Sequence, residues 1–118
     1  MTGADSAAFV VCDPRGVICY WSDALASLTG HGSEVATGAS MDVFIPLEFR
    51  EEHWLGFRSA WQDNFAHFVE RFPDGSFDVP VLCGDGRSRE MKLRISIARD
   101  TNNAAIAVVA SFLPLESA

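Results

Sequence analysis

The stretch FVVCDPRGVICYWSDALASLTG, Phe9–Gly30, decides how the chain begins to fold. Its two apolar runs, AAFVVC and GVICYW, are short and rich in β-branched and aromatic residues. Between them Asp13-Pro14-Arg15-Gly16 puts Asp, Pro and Gly where a type I turn favours them, so the two runs read as a β-hairpin. The period then changes. Ser22 can cap a short helix through Leu28, and Gly30 can end it. A tight hairpin sets Cys12 opposite Val17 and Cys19 opposite Val10. The two sulfurs then lie on a diagonal, roughly 7–8 Å apart at Cα, too far for a comfortable disulfide. With Cys83 the cysteines number three, without C-x-x-C spacing, so zinc is not expected and all are read as reduced.

Working outward, Ser33 can cap a second short turn, and MDVFIP is a third short apolar element. Pro46 suits the first turn of the helix that follows. From Leu47 to Phe65 apolar residues recur at helical spacing. At ~100° per residue, Phe57, Trp61, Trp54 and Phe65 form a stripe centred about 80° from His53, which places His53 at its rim. After the turn FPDGS come three strands. FDVPVLC puts Phe77, Val79, Val81 and Cys83 on one face, and GDGR is a hairpin loop. In EMKLRISIA, Met91, Leu93, Ile95 and Ile97 alternate with Glu90, Lys92, Arg94 and Ser96, one buried face and one wet face. DTNN turns the chain into AAIAVVASFL, which is apolar on both sides. Its second face needs a cover, and a partner chain could supply one. A pairing surface there would be broken by a charge at Val109 or Phe112. The fold class is α+β: five antiparallel strands, with the short helices and one long helix inserted in the middle and covering one face.

The chain has 118 residues, enough for one domain with a real core, and 48% hydrophobic residues argue against disorder. A net charge of −7 makes nucleic acid a poor partner. Five of the nine basic residues, Arg87, Arg89, Lys92, Arg94 and Arg99, share one segment and read as a solvated strand face. No apolar run reaches the length of a membrane span and no signal peptide opens the chain, so a cytoplasmic location is expected. Residues 1–7 read as a flexible start, 8–113 as the domain and 114–118 as a truncated tail. Enzyme chemistry is not expected, because no nucleophile triad, metal triad, phosphate loop or apposed carboxylate pair stands out. His31 and His67 fall in loop-like settings and read as surface residues.

This order of elements resembles the PAS sensory-domain family. The likeness rests on FVVCDPRGVICYWSDALASLTGHGSEVATG, IPLEFREEHWLGFRSAW, DVPVLCGDGRSREMKLRISIARD and the closing strand, from about Ala8 to Leu113. Two departures stand out: Ser22 replaces the Asn common in the family, and the chain closes with FLPLESA rather than an aspartate-initiated linker to a signalling helix. The resemblance implies a cavity between sheet and helices for a small molecule or cofactor, pairing into a homodimer, and an output domain or effector outside this chain. Such a domain would serve a bacterial-type sensor or regulator, for instance in transcription regulation.

Flavin photochemistry of the related light-sensing domains needs an Asn-Cys-Arg motif before the long helix, and no cysteine lies between Gly38 and His53. Heme is an alternative, because IP…FR..HW.GF resembles a subset of PAS sensors whose histidine ligates iron. His53 would be the axial ligand, Trp54, Phe57 and Trp61 the walls, and Cys83 or Met91 a sixth ligand or filler. Otherwise His53 donates to a backbone carbonyl or carboxylate at the border of the core. The leading reading is a sensor that binds an apolar or aromatic molecule among Phe44, His53, Trp54, Phe57 and Trp61, with Cys83, Met91, Leu93 and Ile95 toward the sheet. A ligand-free dimerisation module is the third reading.

Overall fold

In a computed structural model the described residues are 7–115; the expectations for residues 1–6 and 116–118 lie outside them. Five strands, β1 (Phe9–Cys12), β2 (Ile18–Trp21), β3 (Ser76–Leu82), β4 (Ser88–Arg99) and β5 (Ala105–Pro114), form one antiparallel sheet. Its order is β2-β1-β5-β4-β3, so the first hairpin pairs with the last strand. The helices α1 (Asp23–Thr29), α2 (Ser33–Ala36), α3 (Arg50–Gln62) and α4 (Ala66–Arg71) come between β2 and β3. Two 3₁₀ turns, Met41–Phe44 and Leu47–Phe49, precede α3.

The opening turn forms for the reason its residues give. Gly16 N–H donates to Asp13 O at 2.9 Å, and the Asp13 carboxylate accepts from the N–H groups of Arg15 and Val17 at 2.9 and 3.0 Å. Those donors hold the Asp13 carboxyl below its ordinary pKa, the Val17 N–H foremost. The strand register differs from the tight-hairpin expectation. Cys12 pairs with Ile18, not Val17, and a bulge lies between Val11 and Cys12. A bulge sets two residues of one strand against one of the other, so Cys19 loses its place opposite Val10, which pairs with Trp21. Cys12 is buried, Cys19 exposed, and all three cysteines are free. Burial pushes the Cys12 thiol pKa up to about 12, so it behaves as a small apolar core residue.

Ser22 Oγ accepts from Leu25 N–H at 3.1 Å and Gly30, at φ 85°, closes α1. Gly32, not Ser33, occupies the N-cap of α2. The long helix is shorter than the pattern predicts. It ends at Gln62, because Asn64 and Phe65 both take positive φ, and α4 follows as a helix the sequence reading did not anticipate. The inner sheet face carries Val10, Cys12, Val81, Met91, Leu93, Ala110 and Phe112, packed under Trp21, Leu25, Met41, Phe44 and Ile45. Phe112 therefore faces the core, 5% exposed, and cannot serve as a pairing residue on the outer face; Val109, three positions earlier and paired with Val11, does lie there.

β4 continues past β3: Arg94 pairs with Ser76, and just beyond it Ile95 N–H donates to Gly75 O at 2.9 Å. Gly75 has φ 72°, and a Cβ there would collide with the Ile95 carbonyl. Replacing Gly75 by Ala combines left-handed strain with a backbone clash. It is expected to lower the unfolding free energy in urea by about 2 kcal/mol or more. A loss below about 0.5 kcal/mol would show that the β3–β4 entry is not held this closely.

Candidate functional site

Helix α3 runs from the β1–β2 turn to the β4–β5 hairpin. Cys12 pairs with Val108 and Val108 with Ile97, so both connections lie at the same end of the sheet. At the N-terminal end of the helix, the Trp54 ring packs against Gly16 so closely that a Cβ on that glycine would fall inside the indole. Trp54 Nε1–H donates to Asp42 Oδ1 at 2.8 Å. Arg50 donates to Ile45 O and Asp42 O at 3.0 and 3.1 Å. At the C-terminal end Asn64 takes over. Its Oδ1 accepts from Ala105 N–H at 2.7 Å, its Nδ2 donates to Asn103 O at 3.0 Å, and its carbonyl accepts from Arg99 at 3.1 Å. These hooks explain why the aromatic periodicity breaks after Gln62: Asn tolerates the left-handed conformation and its side chain ties the chain to a hairpin distant in sequence.

Between the two anchored ends the helix presents rings. His53 lies 4.8 Å from Trp54 and 5.7 Å from Phe57 by ring centroids, and Phe57 lies 6.1 Å from Trp61. Trp61 in turn meets the buried Phe65 at 4.9 Å. No residue of α3 is fully buried, although Trp54 and Phe57 pack on the core. Two polar atoms of this strip are buried without a hydrogen-bond partner, His53 Nδ1 and Trp61 Nε1. The expected donation from His53 to a carbonyl or carboxylate is therefore not made through Nδ1. Burial holds the His53 pKa below its ordinary value against the opposing charge of Asp42, so the imidazole is neutral.

The other predicted residues stand elsewhere. Phe44 is a core ring, 5.8 Å from Trp21 and 5.5 Å from Phe112. Ile95 pairs with Ala110 and Leu93 with Phe112, in the middle of the sheet. Met91 is fully buried and pairs with Val79; it lies six positions along β4 from Ile97, about 20 Å at the strand rise. Cys83 is farther still, in the segment where Gly84 N–H donates to Thr29 O at 2.7 Å. Burial raises its thiol pKa, and its Sγ turns back to Val81 O at 3.6 Å. His53 thus has neither Cys83 nor Met91 across from it, and its imidazole is packed between Trp54 and Phe57. The sixth heme ligand expected from Cys83 or Met91 is therefore not in place opposite His53. Among the described residues no group of three or more His, Cys, Asp or Glu side chains could hold a metal ion, and no helix is long and apolar enough to cross a membrane.

The sequence reading missed His31. It is a bridge, not a surface residue: its Nε2 bonds Leu82 O at 2.8 Å and its carbonyl accepts from Trp21 Nε1–H at 2.9 Å. His67 is exposed as expected. Two open hollows lie away from the α3 strip. One, of about 690 Å³, is bordered by Ala24, Leu28, Lys92, Arg94, Ser111 and Leu113. The other, of about 380 Å³, lies beside Phe68, Phe72, Gly75, Ile97 and Arg99.

The depressed His53 pKa has a defined consequence for stability. The unfolded chain takes up a proton at His53 near pH 6.5 and the folded chain does not until lower pH. The His53 contribution is therefore fully present above pH 6.5 and declines as pH falls through the interval between 6.5 and the folded-state pKa. Urea unfolding of wild type and His53→Gln at pH 7.5 and pH 5.5 measures it. The wild type should lose more stability between the two than the variant; equal losses would contradict a buried, neutral His53.

No protein-family model and no curated protein matches the sequence. Solved structures do match. The PAS domain of a protein from Colwellia psychrerythraea superposes with TM-score 0.74 at 17% identity, covering 92% of this chain and 86% of that one. The PAS domain of the RpfR quorum-sensing receptor of Cronobacter turicensis, in complex with C12:0, gives 0.67 at 14% identity, covering 94% and 95%. The LOV domain of the blue-light photoreceptor Aureochrome1 gives 0.67 at 18%, covering 93% and 82%. At these identities the shared property is the architecture, and strand order, helix placement and these superpositions agree: this chain has the PAS fold.

Proposed function

We propose that this domain is a sensor module that binds a small, mostly apolar or aromatic molecule between α3 and the sheet and passes the change to an output partner through a paired domain. The observation that carries the reading is the ring strip His53–Trp54–Phe57–Trp61, on a helix anchored at both ends that buries none of its residues fully. Flat rings with few polar groups favour flat, weakly charged ligands. A helix with little fully buried surface is also the element that separates from the sheet at least cost. The RpfR domain, whose fold this chain shares, was solved with C12:0 and with BDSF, which supports a ligand-binding role for such a scaffold.

The outer sheet face supports pairing. Phe9 stacks on Tyr20 at 5.3 Å, Tyr20 is 51% and Leu113 63% exposed, and Val11 faces Val109 in register. A second copy covering this apolar half of the sheet would remove it from water. Lys92 and Arg94 on the adjoining strand keep the remainder of that face wet.

Native mass spectrometry of freshly purified protein, with thermal shifts against flat neutral aromatics, tests the ligand. A co-purified organic molecule, or a rise in Tm of about 10 °C at a hundredfold excess over Kd, is expected. No bound molecule and no shift with any compound would overturn the reading. An intense visible band on hemin addition, lost in His53→Ala, would replace it with the heme alternative.

Pairing is tested by light scattering at micromolar concentration. Wild type should be a dimer and Val109→Asp a folded monomer, judged by circular dichroism. A monomeric wild type would remove the relay from the proposal.

A further inference from the structure

The two unpartnered atoms say more about the ligand than the rings do. Trp61 Nε1–H can only donate, and His53 Nδ1 can donate or accept according to tautomer. Both are buried, and leaving a buried polar atom without a partner forfeits its hydration with nothing in return, so such atoms are normally satisfied. The contrast within the molecule is direct. Trp21 Nε1–H is satisfied by His31 O at 2.9 Å and Trp54 Nε1–H by Asp42 Oδ1 at 2.8 Å, leaving Trp61 as the one indole of the three without an acceptor.

The positions of the two atoms are equally informative. His53 and Trp61 lie on either side of Phe57 on one helix, at centroid distances of 5.7 and 6.1 Å from it. They are eight positions apart, about 12 Å along the helix axis. A molecule lying along α3 would rest its middle on the Phe57 ring and bring its two ends to the two polar atoms. Charge is disfavoured there because the strip is aromatic and its polar atoms are buried, and the Asp42 carboxylate acting on His53 opposes an anion in particular.

Resting on the ligand-binding reading above, we infer that the ligand is an uncharged, elongated, flat molecule with a hydrogen-bond acceptor at the Trp61 end and a second polar group at the His53 end, lying along α3 across Phe57. Trp61 and His53 are its polar contacts, and Phe57 is its platform.

The test uses two probes of the same shape, 2,6-diacetylnaphthalene, with an acceptor at each end, and 2,6-diethylnaphthalene, with none. In ¹H–¹⁵N spectra of the protein the indole signals of Trp21, Trp54 and Trp61 are separate reporters, and Trp61→Phe identifies the third by its disappearance. The diacetyl probe should move the Trp61 signal downfield, with much smaller changes at Trp21 and Trp54. The diethyl probe should not. Affinity should favour the diacetyl probe by about tenfold in wild type, a preference largely lost in Trp61→Phe and reduced in His53→Phe. Equal affinities with no Trp61 shift would overturn this inference while leaving the ligand-binding reading intact. Failure of both probes to bind would overturn this inference, and the ligand-binding reading falls with it only if no other compound binds either. A Trp61 signal already at the bonded position in ligand-free protein would show that water holds the N–H, and would overturn the inference as well.

Discussion

The contact of the Trp54 indole with the backbone of Gly16 is the constraint on which the arrangement depends. Gly16 ends the first hairpin turn, and its carbonyl accepts from Met41 N–H at 3.0 Å. The same few atoms therefore join the sheet, the 3₁₀ turn Met41–Phe44 and helix α3. A side chain at position 16 would push out the ring, and with it the N–H bond to Asp42 that sets the rotation of the helix. Because Trp54 is fixed, the neighbouring positions on α3 are fixed too: Phe57 and Trp61 face inward and His53 is held at the edge of that face.

The other end of α3 is held by different physics. Asn64 makes its bonds from an exposed position, where each is worth about a kilocalorie per mole or less, so this end depends on several weak bonds rather than on one packed ring. Such an anchor tolerates small movements of the helix better than the Trp54–Gly16 junction does. Movement of α3 would then be a tilt about its N-terminal end, opening first near Trp61. This weaker end is the one tied, through Asn64, to the β4–β5 hairpin.

The two faces of the sheet differ in character. Its inner face is closed by core side chains at the Met91 and Cys83 end, where α1 packs, and is roofed by rings at the Ile97 and Val108 end. Its outer face divides into an apolar half on β1, β2 and β5 and a charged half on β4, where Lys92 pairs with Asp78 at 3.4 Å. An ion pair this exposed adds little stability. Its role in the architecture is to limit the apolar area to the strands around β5.

The sequence by itself determined the strands, the first hairpin, the capped helix α1 and the order that makes the fold, because each depends on neighbours within a few residues: Asp13 with its turn, Ser22 with Leu25, alternation along β4. It also identified the aromatic face of α3, since helical periodicity is local. It could not show that Asn64 would break that periodicity, because the hairpin that rewards the left-handed turn lies some forty residues away in the chain. Nor could it show that Cys12 slips past Val17, that His31 bridges Trp21 to Leu82, or that Cys83 and Met91 stand at the far end of the sheet from His53. Strand parity reports the face a side chain takes but not its position along the sheet. Only the tertiary structure, which fixes register and brings distant segments together, decided which inward-facing residues share a site and left His53 Nδ1 and Trp61 Nε1 buried without partners.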